Sequence, residues 1–320
     1  MAGFQTFING TSFDVLNAMS FTYVIDVIDT SGAGSRSYPS QSMNYSAYLL
    51  NNFFATTYQA RNYSVTISGN KVSWDVPNVV KIVVFAVPKQ GADTGYGGFS
   101  YYDYPGGQRT IKLAPDFVPF NLVQVIDIGA GPGDLETVVP LNKGMVAFHR
   151  ALNMSINQYD QIVWEQVSGN GRHVIRVTNN PYGGRLYVFS DMLLNIPPGG
   201  FYMYRDGQMV WHSNCLPLNL RQMPGGDIDS DSPLAVASNV SANLFLRQDP
   251  QYPTGYENRQ CAAAGYVNGR WRATIAATFS SRYISDPREG ESIRPWAVGG
   301  YPGYIETTVY DDYYRAALGV

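Results

Sequence analysis

The chain has 320 residues, enough for two domains or three small ones, and this length excludes a mini-protein held together by disulfides. Glycine (32), proline (19) and tyrosine (24) are abundant, whereas charged residues make up only 15% of the chain. This composition is typical of β-structure with many turns, because solvent-facing helices carry more Glu, Lys and Arg. The net charge is −3 without a basic run, which argues against nucleic acid as the main partner.

Strand patterns recur along the whole chain and are bounded by Gly, Asn, Asp and Pro. Apolar runs predict strands at 21–29, 63–69, 71–76, 80–87, 109–114, 122–128, 161–167, 173–178, 185–190, 201–206, 208–213, 242–248, 271–279 and 305–310. Tight hairpin turns are predicted at Asn9-Gly10, Gly69-Asn70, Asp206-Gly207 and Asn268-Gly269. Together these features predict an all-β fold of two or three antiparallel, sandwich-like domains with long Tyr- and Gly-rich loops and few short helices.

Helical spacing occurs in only two segments. The apolar residues of 45–54 recur at the intervals of a helix face, which indicates a short helix. The segment 311–320 indicates a second short helix.

One hairpin is repeated within the chain. Residues 3–17 align without a gap with residues 200–214, with four identical positions. If the turns contain two residues, Thr6 pairs with Phe13 and Phe4 with Val15, while Met203 pairs with Val210 and Phe201 with His212. The alignment therefore predicts a duplicated hairpin that opens two units.

The unit boundaries follow from changes in composition. The segment 92–108 is rich in Gly and Tyr without alternation, and 195–200 is a clear break before the second copy. We therefore expect units at 1–115, 116–197 and 198–320. Loops at 29–44, 221–233, 247–260 and 286–304 exceed the length that hairpins need, and long loops on a β scaffold usually form binding surface.

The compartment is predicted from what the chain lacks. The first residues have neither the basic nor the apolar segment of a secretory signal, so we expect synthesis in the cytoplasm. The longest apolar stretch, 79–87, is too short for a membrane helix and indicates a buried strand. Cys215 and Cys261 are expected to be buried thiols, with a single disulfide as the alternative.

A glycine-rich segment at 123–135 resembles the first motif of methyltransferases that use S-adenosylmethionine. Asp127, Gly129, Gly131 and Gly133 would be its acid and glycines. Pro140 lies where the following helix should run, and a proline there removes a hydrogen bond. We therefore interpret the segment as a turn between two strands and expect no cofactor.

Other catalytic or metal-binding patterns are incomplete. Asp227, Asp229 and Asp231 resemble the start of a calcium loop, but its sixth and twelfth positions are Ser232 and Ser238. A polar surface loop is the main interpretation, and a calcium site is the alternative. The three histidines stand alone, and no serine-nucleophile motif occurs. An enzyme, either a methyltransferase or a polysaccharide depolymerase, is therefore only the third hypothesis.

Clusters of aromatic residues are the remaining candidates for binding. They are Tyr101, Tyr102, Tyr104, Tyr252, Tyr256, Trp296, Tyr301 and Tyr304. Exposed Tyr and Trp are enriched at protein interfaces, and beside Asn and Asp they also bind sugars by stacking. The clusters therefore predict either a subunit interface or a carbohydrate-binding surface that recognises a receptor.

The two copies of the repeat carry a family resemblance. Each has a Gly-aromatic strand, a turn with Asn or Asp before Gly, and an apolar strand, and the second copy follows the strand at 187–189. This pattern, over about 30 to 50 residues, is similar to that of small tail-associated proteins of tailed bacteriophages. It departs from them at Trp211-His212, where Phe-Asp is expected. The resemblance implies a homo-oligomeric structural protein of the tail tip or fibre region of the virion, with other virion proteins as partners and without catalytic residues.

Overall fold

The computed structural model describes residues 5–39, 43–50, 62–89, 99–102, 109–113, 118–151, 161–247, 255–284, 294–298 and 300–320. The strands within these ranges are β1 (Tyr23–Ser37), β2 (Met43–Leu50), β3 (Asn62–Ser68), β4 (Lys71–Pro88), β5 (Phe99–Tyr102), β6 (Arg109–Leu113), β7 (Asn121–Ile128), β8 (Gly133–Pro140), β9 (Met145–Ala151), β10 (Val163–Gly169), β11 (Arg172–Asn179), β12 (Gly184–Ser190), β13 (Tyr202–Arg205), β14 (Gln208–His212), β15 (Arg221–Gln222), β16 (Ile228–Ser230), β17 (Leu234–Ala237), β18 (Val240–Arg247), β19 (Gly255–Val267), β20 (Arg270–Ile284), β21 (Arg294–Val298) and β22 (Gly303–Glu306). The helices described are α1 (Val15–Ala18) and α2 (Thr308–Leu318).

The all-β prediction is confirmed, and the four dipeptides all lie in turns, of which the one at Asn9-Gly10 is wider than the predicted tight turn. Each turn contains a glycine with a positive φ, at Gly10, Gly69, Gly207 and Gly269. Three of these turns join strands that pair up to the turn itself: β3 with β4, β13 with β14, and β19 with β20. The glycines are required there because other residues reach this backbone region only with strain.

The helix predicted at 45–54 is wrong for residues 45–50, because they belong to the strand β2 (Met43–Leu50). This strand pairs antiparallel with β4, and its residues 47–50 are all buried. A strand covered on both faces shows no alternation, so its apolar spacing can imitate that of a helix. Residues 51–54 lie outside the described residues.

The second predicted helix is confirmed as α2, which begins at Thr308. The strand predicted at 305–310 therefore ends early, at Glu306, because the chain turns into this helix. The predicted strands at 71–76 and 80–87 are parts of one strand, β4, which runs through Pro77 without interruption.

The predicted pairing within the repeated hairpins is wrong. In the first copy Phe7, rather than Thr6, is bridged across the hairpin, and its partner is Asp14, so the turn is wider than two residues. In the second copy a bulge follows the pair of Tyr204 and Met209, and Met203 pairs with Trp211 instead of Val210. The same bulge places Tyr202, rather than Phe201, opposite His212. The pairing proposed between Phe4 and Val15 involves a residue outside the described ranges.

A six-stranded sheet forms the centre of the fold, in the order β15-β22-β17-β9-β12-β7. Its strands β9 and β12 are buried along almost their whole length, so both faces of the sheet are covered. On one face Trp164 of β10, from the three-stranded sheet β10-β11-β8, donates a hydrogen bond to Nδ1 of His149 (3.1 Å). On the other face Tyr310 of α2 packs edge-on against Phe189. The centre is therefore a sandwich with a helix as its third layer.

Two sheets join strands from different predicted units. The six-stranded sheet combines β7, β9 and β12 with β15, β17 and β22 from beyond residue 197. In the five-stranded sheet β21 pairs in parallel with β3, Arg294 with Asn62 and Val298 with Ser64, although β21 lies beyond residue 197 and β3 lies before residue 115. The largest hydrophobic cluster likewise extends from Ile8 to Ala317. The boundaries at 115 and 197 thus stay a prediction, and extensive packing crosses both of them.

A cluster of charged and hydroxyl groups fixes α2 to the central sheet. The carboxylate of Asp311 accepts hydrogen bonds from Arg150 (2.8 Å), Arg185 (2.8 Å), the Tyr187 hydroxyl (2.7 Å) and the Thr307 hydroxyl (3.0 Å). Arg150 also donates to the Tyr187 hydroxyl (2.8 Å). Arg150 is buried, so its charge depends on this carboxylate for compensation.

We expect Asp311→Asn to destabilise the protein by about 3 kcal/mol, because it leaves the buried guanidinium group of Arg150 without its carboxylate partner, whereas Arg185 keeps its pair with Asp127. Urea unfolding of the full chain measures this loss. Asp312→Asn is the matched control, since Asp312 is exposed on the same helix and should change stability by less than about 0.5 kcal/mol. Equal effects of the two substitutions would contradict the role assigned to Asp311.

Gly184→Ala should cost about 3 kcal/mol in the same measurement. A Cβ atom at Gly184 would lie 2.1 Å from Cδ1 of Ile162 and 2.7 Å from the carbonyl oxygen of Arg150, which is backbone of the neighbouring strand. Gly133→Ala is the control, because a Cβ at Gly133 would meet no atom within 4 Å. A Gly184→Ala protein as stable as the control would show that β9 and β12 are not packed this closely.

Candidate binding cleft

The two copies of the repeated hairpin face each other across a cleft of about 470 Å³. The first copy contributes residues 5–11, and the second contributes Gly199, Gly200, Phe201, Ser213 and Asn214. The second hairpin presents its base to the cleft, while its turn at Asp206-Gly207 lies outside the lining. The first hairpin presents its turn, with Asn9 and Gly10 in the wall.

Asparagine side chains hold the two hairpins together. Oδ1 of Asn214 accepts a hydrogen bond from the backbone N–H of Asn9 (2.9 Å), and its Nδ2 donates to the carbonyl of Asn195 (3.0 Å). The side chain of Asn195 in turn donates to the carbonyls of Ala316 (3.2 Å) and Ala317 (3.0 Å) in the last turn of α2. The cleft is thus linked through side-chain hydrogen bonds to the C-terminal helix.

The wall formed by the first hairpin combines polar groups with one exposed ring. The Thr11 hydroxyl donates to the carbonyl of Ile8 (2.9 Å) and accepts from the N–H of Phe13 (3.2 Å), which fixes the turn. Thr6 is only 4% exposed, and its hydroxyl has no hydrogen-bond partner. Phe7 is 44% exposed. The wall therefore combines a buried hydroxyl with a partly exposed aromatic residue.

In the opposite wall, a glycine allows the two strands of the second hairpin to begin close together. Gly200 has a φ of +153°, and a Cβ atom there would lie 2.5 Å from Oγ of Ser213. Glycine is therefore required where the chain enters the second hairpin beside Ser213. None of the described residues that line the cleft is charged.

The glycine-rich segment is the predicted turn between two strands, β7 and β8. Asn180 holds it, since its side chain donates to the carbonyl of Gly129 (2.7 Å) and its own carbonyl accepts from Gly131 (2.7 Å). A smaller cavity of about 240 Å³ lies beside this turn. Asp127 is paired with Arg185 through two hydrogen bonds (2.6 and 2.9 Å), which lower the pKa of the carboxyl group. A strand follows the turn where a methyltransferase would have a helix.

The three aspartates of the possible calcium loop lie next to arginines. Arg272 donates two hydrogen bonds to the carboxylate of Asp229 (2.7 and 3.0 Å), which lower the pKa of Asp229, and it lies 3.8 Å from Asp227. Arg270 lies 3.2 Å from Asp231. Guanidinium groups thus occupy carboxylate oxygens that a cation would need. No group of three His, Cys, Asp or Glu side chains suited to a metal ion occurs in the described part of the chain.

The described aromatic candidates belong to several different sheets or lie beside them. Tyr101 and Tyr102 belong to β5, Tyr256 to β19, Trp296 to β21 and Tyr304 to β22, which are strands of four different sheets. Tyr104 and Tyr252 lie outside the described residues.

Tyr301 and Tyr304 are the two aromatic candidates whose side chains the structure describes, and both are half-buried. They pack against a small hydrophobic cluster that contains Met223 and Leu234. A Cβ atom at Gly225 would lie 2.8 Å from the Tyr301 ring, so this ring covers the backbone there. Tyr301 and Tyr304 thus contribute to a small core, and their role as interface or glycan-binding candidates stays a prediction.

Both cysteines and two of the three histidines, His149 and His212, are buried. Cys215 and Cys261 are free thiols, as predicted, and burial raises the pKa of Cys215 to about 12 and that of Cys261 further. Burial also lowers the pKa of His149 to about 4, an effect that the backbone of Ala262 only partly offsets, and lowers the pKa of His212. A raised thiol pKa is the opposite of what an activated cysteine requires.

Comparisons with protein-family models, with curated proteins and with solved structures found no match. Among the described helices, none has the length and apolar character needed to span a membrane. The cleft was missed by the sequence analysis, although the repeat was the signal for it, because its two walls are the two copies. Asn9 and Gly10 were selected as turn residues and lie in the wall of the cleft.

His149 should make the protein less stable as the pH falls from about 6.5 to about 4. The unfolded chain binds a proton at this histidine near its ordinary pKa of 6.5, whereas the folded chain does so only near 4. Over this interval the free energy of unfolding falls by about 3 kcal/mol. At higher pH the titration of His149 no longer changes the stability.

His149→Gln removes the titrating group and keeps an acceptor for the Trp164 N–H. Urea unfolding at a series of pH values should then show a correspondingly shallower loss of stability than in the wild type. Parallel pH profiles for the two proteins would contradict the assignment.

Proposed function

We propose that the protein is a non-enzymatic structural component of the virion of a tailed bacteriophage, in the tail tip or fibre region. Its partners are then other virion proteins and copies of itself. The observation that carries the proposal is the long strand pair β19 and β20, which presents exposed tyrosines. The sequence resemblance of the repeated hairpin adds the virion context.

The strand pair β19–β20 is longer than a compact domain requires. Its strands contain 13 and 15 residues, whereas strands in globular proteins usually have about 3 to 10. Tyr266 is 47% exposed and packs edge-on against Trp271, which lies opposite it near the tight turn. Tyr283, at the other end, is 57% exposed. Tyrosine is enriched at protein interfaces because a large rigid ring carries a polar group.

The same sheet ends in strands that neighbouring chains could extend. Its order is β16-β20-β19-β18, so β18 lies at one edge of the described sheet and the short β16 at the other. An edge strand presents backbone groups that pair with a strand of another chain. This arrangement supports assembly through backbone pairing in addition to contacts of tyrosine rings.

Sedimentation velocity of the purified full chain tests the assembly part of the proposal. We expect concentration-dependent oligomers that the double substitution Tyr266→Ser/Tyr283→Ser weakens by at least about tenfold in affinity. Tyr182→Ser is the matched control, because Tyr182 is 58% exposed but lies outside the strand pair. An unchanged oligomer in the double variant would place the interface elsewhere.

The virion part is tested by mass spectrometry of purified phage particles from cultures that produce the protein. We expect the chain in particles at a constant ratio to known tail components. A protein that remains monomeric at high concentration and is missing from the particles would overturn the proposal.

A further inference from the structure

We propose that Asn9 is a site at which the chain modifies itself, by losing its side-chain amide as ammonia. Asn9 and Gly10 are both exposed and lie in the turn of the first hairpin. Asparagine is a thermolabile residue, and most of all before glycine, which has no side chain to hinder its own backbone nitrogen. The inference is independent of a virion role, because it is argued only from the chemistry and conformation of this turn.

The reaction takes place in two steps. The backbone nitrogen of Gly10 attacks Cγ of Asn9 and forms an N–Cγ bond. The Cγ–Nδ2 bond breaks, and Nδ2 leaves as ammonia with the proton that the Gly10 nitrogen loses. Water then opens the cyclic imide at either of its carbonyl carbons, which gives aspartate or isoaspartate. The net reaction consumes a water molecule and releases ammonia, without a change of oxidation state.

Both reacting groups are free of internal hydrogen bonds. Among the described residues, none bonds to the side-chain amide of Asn9 or to the backbone N–H of Gly10. The bonds that hold the turn lie on either side of the peptide group between them. The N–H of Asn9 donates to Oδ1 of Asn214 (2.9 Å), and the N–H of Thr11 donates to the carbonyl of Ile8 (3.0 Å). This peptide group can therefore rotate while both ends of the turn stay fixed.

The conformation of the turn makes this rotation productive. The bond from Thr11 to Ile8 and the φ of +76° at Gly10 are those of a type II turn, and φ of Asn9 is negative. Flipping the central peptide group converts a type II turn into type I, and glycine permits the change at the following position. The flip carries the Gly10 nitrogen past the side chain of Asn9, where it can reach Cγ.

Two other Asn-Gly pairs of the chain provide an internal comparison. Asn170 and Asn268 each have a φ of +50°, and the glycines that follow them also have positive φ, so both turns are of type I′. The same flip would place these asparagines in the first central position of a type II′ turn, where a Cβ atom is strained. The side chain of Asn170 is also held by Glu136. Both pairs should therefore react more slowly than Asn9.

The modification changes the cleft between the hairpins. None of its described lining residues is charged, so aspartate or isoaspartate at position 9 adds a carboxylate to the wall. Isoaspartate also adds a carbon atom to the backbone next to the N–H that binds Asn214. Modified molecules therefore carry negative charge where the two hairpins meet, and they hold the first hairpin less firmly.

The test follows the three Asn-Gly pairs in the folded full chain during incubation at mildly alkaline pH. Peptide mass spectrometry measures the replacement of amide by carboxyl at each pair, and an isoaspartyl methyltransferase assay detects isoaspartate. We expect Asn9 to react at least about tenfold faster than Asn170 or Asn268, because of the strain that their turns impose. In guanidinium chloride the three rates should agree within about threefold, because the turns are then absent.

Asn9→Gln is the matched control. A glutamine side chain is longer and would have to form a larger ring, so reaction at position 9 should stop. The rates at Asn170 and Asn268 and the melting temperature should equal those of the wild type, since the exposed amide of Asn9 has no partner among the described residues.

The inference is overturned if Asn170 or Asn268 reacts as fast as Asn9 in the folded chain, or if Asn9 does not react. It is also overturned if the three rates differ as much in guanidinium chloride as in the folded chain, because local sequence instead of turn conformation would then set their order. Since neither oligomerisation nor particle content is measured, failure here leaves the proposed virion role untouched.

Discussion

The carboxylate of Asp311 receives two guanidinium groups and two hydroxyls between a helix and the centre of a sheet. Arg150 and Arg185 come from the adjacent strands β9 and β12, so Asp311 bridges two charges that the sheet has placed side by side, and Asp127 pairs with the second of them. The position of α2 is fixed by this requirement as well as by the packing of Tyr310. A buried cluster of this kind is costly to break, because each group then remains desolvated without its partner.

The position of α2 affects the cleft as well. Asn195 binds the last turn of the helix, Asn214 binds the carbonyl of Asn195, and the turn of the first hairpin binds Asn214. Three asparagines thus connect the cleft walls to an element that Asp311 fixes on the sheet. Amide groups donate and accept hydrogen bonds in fixed directions. These bonds therefore hold the cleft walls in place relative to the central layers.

Local features of the sequence predicted much of the fold, because tight turns need particular residues. Asn268-Gly269 and Asp206-Gly207 could be assigned to hairpins since few other dipeptides accept two positive φ values. By contrast, β2 was mistaken for a helix, because burial on both sides removes the alternation that marks a strand. The bulge beside Met203 was also invisible, since it depends on packing around the hairpin instead of on its turn.

The cleft could not be derived because it depends on the approach of segments about 200 residues apart, for which a single sequence has no local signal. The repeat indicated that two hairpins exist but did not indicate that the turn of one meets the base of the other. For a related reason, the clustering of aromatic residues in the sequence did not show that Tyr301 and Tyr304 pack against a small core. Composition alone cannot separate a ring that fills a core from one that faces solvent.

The strand order has a consequence for synthesis of the chain. β22, which lies between β15 and β17 in the central sheet, leaves the ribosome after both of them. Until it does, β17 has no neighbour on that side, and the parallel partner of β3 has only just emerged. Contacts so distant in sequence form slowly. Until these partners are synthesised, nascent chains therefore expose open strand edges that a chaperone or a neighbouring nascent copy can reach.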